Sequence, residues 1–166
     1  MVNQMVKLPR EHDYDLEFPE ASLRLVDFSG LDLHRAVFSK ADIRGACFDH
    51  AQMRCAVMEE ANASGCSMLG ASLIGVRGGL SMFIAANLRG AQMIHGDFHG
   101  ANFTRAILSG ARVHGANFAG ADMRGAQIQC EGCDEATWTA AKFSASTAFS
   151  TGFDPELHGL VLWTDE

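Results

Sequence analysis

Apolar and polar residues follow one another along this chain on a five-residue cycle. From Ala36 it reads AVFSK ADIRG ACFDH AQMRC AVMEE, and from Ala86 ANLRG AQMIH GDFHG ANFTR AILSG ARVHG ANFAG ADMRG AQIQC. Positions 21, 26, 31 and onward are mostly alanine, and two places later, at 23, 28, 33 and onward, stands leucine, phenylalanine, methionine or isoleucine. The register is read as unbroken from Leu16 and Phe18 to Phe153. Two apolar residues spaced two apart describe a short extended segment with both side chains on one side, followed by a corner.

No helix produces this pattern, because a period of five advances about 140° per repeat and smears any stripe around the cylinder. A flat strand fails as well, since an odd period exchanges its faces at each repeat. The chain must therefore turn once per pentad, which makes it all-β. Glycine closes many pentads (Gly45, Gly65, Gly90, Gly110 and Gly125 among them), as a corner with unusual backbone angles favours.

ANLRG at 86, ANFTR at 101, ANFAG at 116 and ADMRG at 121 resemble the A(D/N)LXX motif of the pentapeptide-repeat family. The resemblance implies four pentads per coil, and so a right-handed quadrilateral parallel β-helix with residues 20 apart stacked on successive coils. Stacked in this way, Leu23, Ile43, Ala63, Phe83, Phe103, Met123 and Phe143 line one wall. Phe28, Phe38, Phe48, Phe98, Phe103 and Phe118 are expected core positions. Ala63 and Gly78 leave gaps in the weakest stretch, CSMLG ASLIG VRGGL SMFIA, which either bulges outward or has neighbours that fill the space. The expected division is an N-terminal cap over 1–15, the β-helix over 16–153 and a C-terminal cap over 154–166. Asp154 and Pro155 carry the signals of a helix start, so a short terminal helix is expected there. The GFDP run also resembles the tail of bacterial members of the family.

A length of 166 residues with 48% apolar content suits one domain with a continuous core. No apolar run approaches the roughly 18 residues of a membrane span, and the start lacks a signal-peptide core, so a cytoplasmic protein without membrane contact is expected. Cysteines 47, 55, 66, 130 and 133 are irregularly spaced, which favours reduced thiols. The net charge is −7, but residues 1–20 carry −3, 131–166 carry −6 and the body, 21–130, carries +2 from eight acids and ten bases.

A convex rod with an apolar interior offers little to catalysis, and no catalytic motif or cofactor signature is present. Cys130 and Cys133 form CEGC, half of a zinc or redox spacing, with Cys133 at an inward position; Cys66 takes an alanine place and reads as core. His34, His95 and His114 share the third wall without a carboxylate cluster to complete a metal site. Gly78 and Gly79 lack the lysine and helix of a phosphate loop. Arg24, Arg44, Arg124 and Lys142, with Arg105 nearby, form a basic column, but Asp42 and Asp122 interleave it, which disfavours nucleic acid.

Leu69, Ile74, Leu80, Met82, Ile84 and Ile94 sit at outward places and form the candidate protein-contact surface. A distorted coil that buries some of them is the competing account. The favoured function is a non-enzymatic, rigid protein-binding scaffold whose partner includes a second copy of itself as an option. The alternative comes from the resemblance: some family members mimic a DNA duplex, bind DNA gyrase and protect it. Such mimicry needs a continuous acidic surface, which the +2 body argues against.

Overall fold

The structure, a computed structural model, describes residues 16–164. Each pentad from 16 to 125 makes one bridge residue and one two-residue turn. The bridges are parallel and join residues 20 apart, as in Ser22 to Asp42, Asp42 to Asn62 and Asn62 to Met82. Four such columns of bridges make a four-sided parallel β-helix: the first wall carries Ser22, Asp42 and Asn62, the second Asp27 and Cys47, the third Asp32 and Gln52, and the fourth Val37 and Val57.

One pentad shows why the motif folds this way. Phe103 N donates to Asp122 O at 2.8 Å and Asp122 N to Ala101 O at 2.9 Å, so the wall is a ladder between coils. At the corner, Ala106 N donates back to Phe103 O at 2.9 Å, closing a turn whose third residue, Arg105, has φ +59°. Among the described residues, twelve corner residues other than glycine, Arg105 included, hold this left-handed angle. Each such angle costs about 1 kcal/mol, which the ladder bonds on both sides of the corner offset. The Asp or Asn of the motif also has a role. Its side-chain oxygen accepts the amide two residues on, as in Asn102 with Thr104 (2.9 Å), Asn117 with Ala119 (3.0 Å) and Asp122 with Arg124 (3.1 Å).

The core is one column of stacked side chains. Phe28, Phe38 and Phe48 form one aromatic group, and Phe83, Phe98, Phe103, Phe118 and Trp138 a second. Met53, Met58, Met68 and Leu73, all fully buried, bridge the two. The stretch 66–85 does not bulge: it keeps the bridge-and-turn pattern throughout. Neighbours fill the gap at Gly78, where a side-chain carbon would lie 2.9 Å from the Phe98 ring.

Two expectations need correction. The register does slip, after Gly125. Arg112 bridges Glu131, 19 residues on, whereas Asn117 regains Thr137 at 20, and Gln127 pairs Ala148 at 21. The slip is absorbed by Gly132 (φ +74°) and a 3-10 turn at Cys133–Glu135. The C-terminal helix is also absent. Asp154 does cap, accepting from Glu156 N (3.1 Å) and Leu157 N (3.2 Å), but the chain makes a single turn and leaves it at Gly159, φ +83°. Leu160 then inserts into the core, and the next two residues pair as a strand, so a longer helix would forfeit both. In chain order the strands are β1 (Gln127–Ile128), β2 (Lys142–Phe143), β3 (Ala148–Phe149) and β4 (Val161–Leu162), with β1 parallel to β3 and β2 parallel to β4. The expected N-terminal cap, 1–15, lies outside the described residues.

Candidate functional site

Among the described residues, side chains fill the interior. Phe28, Phe38, Phe48, Phe98, Phe103 and Phe118 are fully buried, and the alanine column beside them is closed. Where a polar residue replaces alanine, it is satisfied locally: the Cys66 thiol donates to Ile43 O at 2.9 Å and the Ser81 hydroxyl donates to Met58 O. Burial pushes the Cys66 thiol up to about 12, which keeps it protonated and inert. Chemistry and recognition are thus left to the walls and corners.

The structure divides the six outward apolar residues among several surfaces. Ile74 and Ile94 are half-buried neighbours on the third wall, linked through Gly75 N to Ile94 O at 2.9 Å. Leu80, 59% exposed, projects from the corner before the first wall, and Met82 and Ile84 continue from it across that wall. Leu69 stands apart on the second wall. Because the first and third walls lie on opposite sides of the core, these residues form two small patches and one single residue. Sequence spacing between 69 and 94 had grouped what the coil separates.

Five exposed apolar residues were missed: Leu25, which stands alone at a corner, and Leu157, Val161, Leu162 and Trp163 near the C-terminal end. The run LVLW after Gly159 was the available signal, and it was absorbed into the expected helix. Trp163 lies over Lys142, with the ammonium 4.4 Å from the ring centroid, and Arg124 approaches the same ring at 5.6 Å.

The basic column is real in position, and two of its members, Arg44 and Arg124, are compensated in charge. Arg44 binds Asp42 through Nε (2.8 Å) and Nη2 (2.6 Å), and Arg124 binds Asp122 through Nε (2.9 Å) and Nη2 (2.7 Å). The Arg44 hydrogen bonds hold the Asp42 carboxyl at about 2. Burial pushes the Asp122 carboxyl up, but the bonds from Arg124 outweigh it and the net shift is downward. Arg105 lies at a corner with its Cγ beside Gly125.

His95 and His114 occupy adjacent coils, with His95 N bonded to His114 O at 3.0 Å, and their rings cover Gly115 and Gly132 respectively. His34 lies four coils below His114, so it joins neither. His114 Nε2 sits 3.7 Å from Glu135 Oε1. Among the described residues no group of three or more His, Cys, Asp or Glu is arranged to hold a metal ion. Cys130 and Cys133 are joined in a disulfide, which corrects the expectation of reduced thiols at this pair; Cys47, Cys55 and Cys66 are free. The register slip and the left-handed Gly132 bring the two sulfurs onto one corner, and the Trp138 indole donates to Cys133 O at 2.8 Å beneath it. An open dent beside the disulfide is bounded by Asp134, Ser150 and Phe153. Among the described residues no helix is long and apolar enough to cross a membrane.

Comparison with known proteins fits this geometry. The family model for pentapeptide repeats matches eight copies over residues 21–58 and 86–125. Between the two matched segments, 59–85 holds the stretch where the motif fades but the coil continues. Rfr23, a pentapeptide-repeat protein from the cyanobacterium Cyanothece 51142, is 19% identical, with 80% of this chain and 90% of that chain covered and a TM-score of 0.60. A trypsin-treated form of QnrB1, a plasmid-mediated fluoroquinolone resistance protein, is 18% identical, with 93% and 86% covered and a TM-score of 0.51. At these identities the likeness is one of fold. Comparison with curated proteins gives no match. Tandem pentads, parallel bridges 20 residues apart and a filled interior together place the chain in the pentapeptide-repeat family.

Proposed function

We propose that this protein is a non-enzymatic rod that acts by presenting its walls to a protein partner. The observation that carries this reading is the filled interior: side chains occupy the core from Phe28 to Phe143, so recognition falls to columns of outward residues held at fixed spacing by the coil. A wall of bridged pentads is rigid, and rigidity lowers the ordering cost of association. The third wall offers Ile74 below Ile94 as an apolar centre, with Arg54 and His114 on the flanking coils. Burial of each isoleucine against a partner would contribute roughly 1.5–3 kcal/mol.

The test is capture from an extract of the source cells with the wild-type chain and with Ile74→Asp/Ile94→Asp as bait. A protein retained by the first and lost by the second, with unchanged melting temperature, is the expected result. Equal retention by both baits rejects the third wall, and no retention above that of an unrelated β-helix rejects the scaffold reading. The gyrase reading has its own arm. Its demand for a continuous acidic surface meets a first wall on which Asp42 and Asp122 are neutralised by Arg44 and Arg124, so the purified chain should leave gyrase supercoiling unchanged.

A further inference from the structure

The first wall carries an arrangement that the other three lack. Each of its rungs presents two outward side chains flanking the inward one, so the wall has a leading column and a trailing column. Asp42 and Asp122 lie in the leading column, and their ion-pair partners Arg44 and Arg124 lie in the trailing one. Midway between these charged rungs sits the apolar rung, Met82 and Ile84. The intervening rungs are neutral and tied internally, Asn62 to Ser64 and Asn102 to Thr104. Two coils separate the apolar rung from each charged rung, or about 10 Å at the usual inter-strand spacing.

Such a wall complements itself. A two-fold axis parallel to the rod sets each rung against its own copy and places the leading column opposite the trailing one. Asp42 then faces the second copy's Arg44, Asp122 faces its Arg124, and Met82 faces its Ile84. Each charged rung becomes a square of alternating charges, a gain for both chains that requires neither ion pair to break. β4 adds a further rung beyond Lys142, since Val161 pairs with Lys142 and Trp163 N donates to Phe143 O at 2.7 Å. That rung sets Val161 (51% exposed) against Trp163 (42% exposed), a second apolar anchor. At no rung from Ser22 to Val161 do like charges meet directly. The third wall fails the same exercise, because its leading column holds Ser72 and Gln92 opposite Ile74 and Ile94.

We propose that the first wall is a self-association surface and that its occupant is a second, parallel copy of this chain. The proposal rests on the reading of the protein as a binding rod, and it names the partner. One wall is narrow, about 10 Å across and about 38 Å long over eight rungs, so the pair belongs with small interfaces and a dissociation constant of roughly 10–100 μM.

The experiment is sedimentation equilibrium of the full chain across that concentration range, at low and at high salt. Two variants divide the charges: Asp42→Lys/Asp122→Lys makes the wall basic and Arg44→Glu/Arg124→Glu makes it acidic. Wild type should associate more weakly as salt rises. Each variant alone should lose association at least tenfold, and an equimolar mixture of the two should regain it as a heterodimer. Met82→Glu, a single change at an exposed site, should also weaken it at least tenfold and serves if a charge variant melts early. The proposal is overturned by a wild-type chain that stays monomeric at several hundred micromolar, by variants that associate like wild type, or by a mixture that stays monomeric. A monomeric wild type that still captures a different protein through Ile74 and Ile94 would sink this inference while leaving the scaffold reading intact. Self-association without any other partner would do the reverse for the third wall.

Discussion

Phe98 shows how a single side chain settles its neighbours. Its ring leans across the core so far that a carbon on Gly78 would lie 2.9 Å from it and a carbon on Gly96 closer still. Gly96 occupies a place where most pentads have alanine, and the consensus residue there would collide with a ring that has no free space to enter. Gly96→Ala should therefore destabilise the rod by about 1–3 kcal/mol, the usual range for overpacking a tight core. The double change Gly96→Ala/Phe98→Leu should recover most of that loss, because a leucine at 98 withdraws from Gly96. Urea melts of the two variants and the wild type measure both steps; a neutral Gly96→Ala would show that the ring moves freely. Corner residues obey a similar rule of pairs, since Leu25 covers Gly45 and Leu80 covers Gly100. At these two corners the large side chain lies where the next coil has no side chain.

At the scale of elements, the last coil differs from those before it. Its shortened connection, the 3-10 turn at Cys133–Glu135 and the Cys130–Cys133 disulfide all fall within the same few residues. The bridge closes a loop of only four residues, so on chain-entropy grounds it contributes about 2 kcal/mol. Reduction by a dithiol should accordingly lower the melting temperature modestly without unfolding the rod at room temperature. Because Trp138 donates to Cys133 O directly under the bridge, its fluorescence reports any loosening of this coil. Complete unfolding on reduction would mean that the last coil nucleates the whole helix. β4 does for this end what caps do in other solenoids, covering part of the last coil with a paired strand.

Considered whole, the molecule is a rod in which most backbone hydrogen bonds run between neighbouring coils and one more closes each corner. Its circular dichroism should be β-rich, with helix far below the roughly one third typical of globular domains. A helical spectrum at that level would contradict the fold outright. The four walls share one geometry and differ only in what they display. The first pairs opposite charges across two columns and the third presents isoleucines. The acidity of the chain is concentrated at its ends and leaves the body nearly balanced.

The pentad alone determined the all-β class, the corners and the inward residues, because one buried side chain per five residues admits a single local solution: extend, then turn. It determined the six core phenylalanines for the same reason. The grouping of the outward apolar residues was not legible in it, since Ile84 and Ile94 lie ten residues apart, half a coil, and therefore on opposite walls. Position along a chain measures distance along the path, whereas a wall is assembled from residues 20 apart. The tail was misread because Asp154 and Pro155 start a helix on local grounds and only the open edge of the last coil, offering Leu160 a core site and Val161 a partner strand, ends it after one turn. The Cys130–Cys133 bridge depended on a register slip that no local pattern announces, and the pairing of Asp42 with Arg44 in facing columns became a surface only once the coils were stacked.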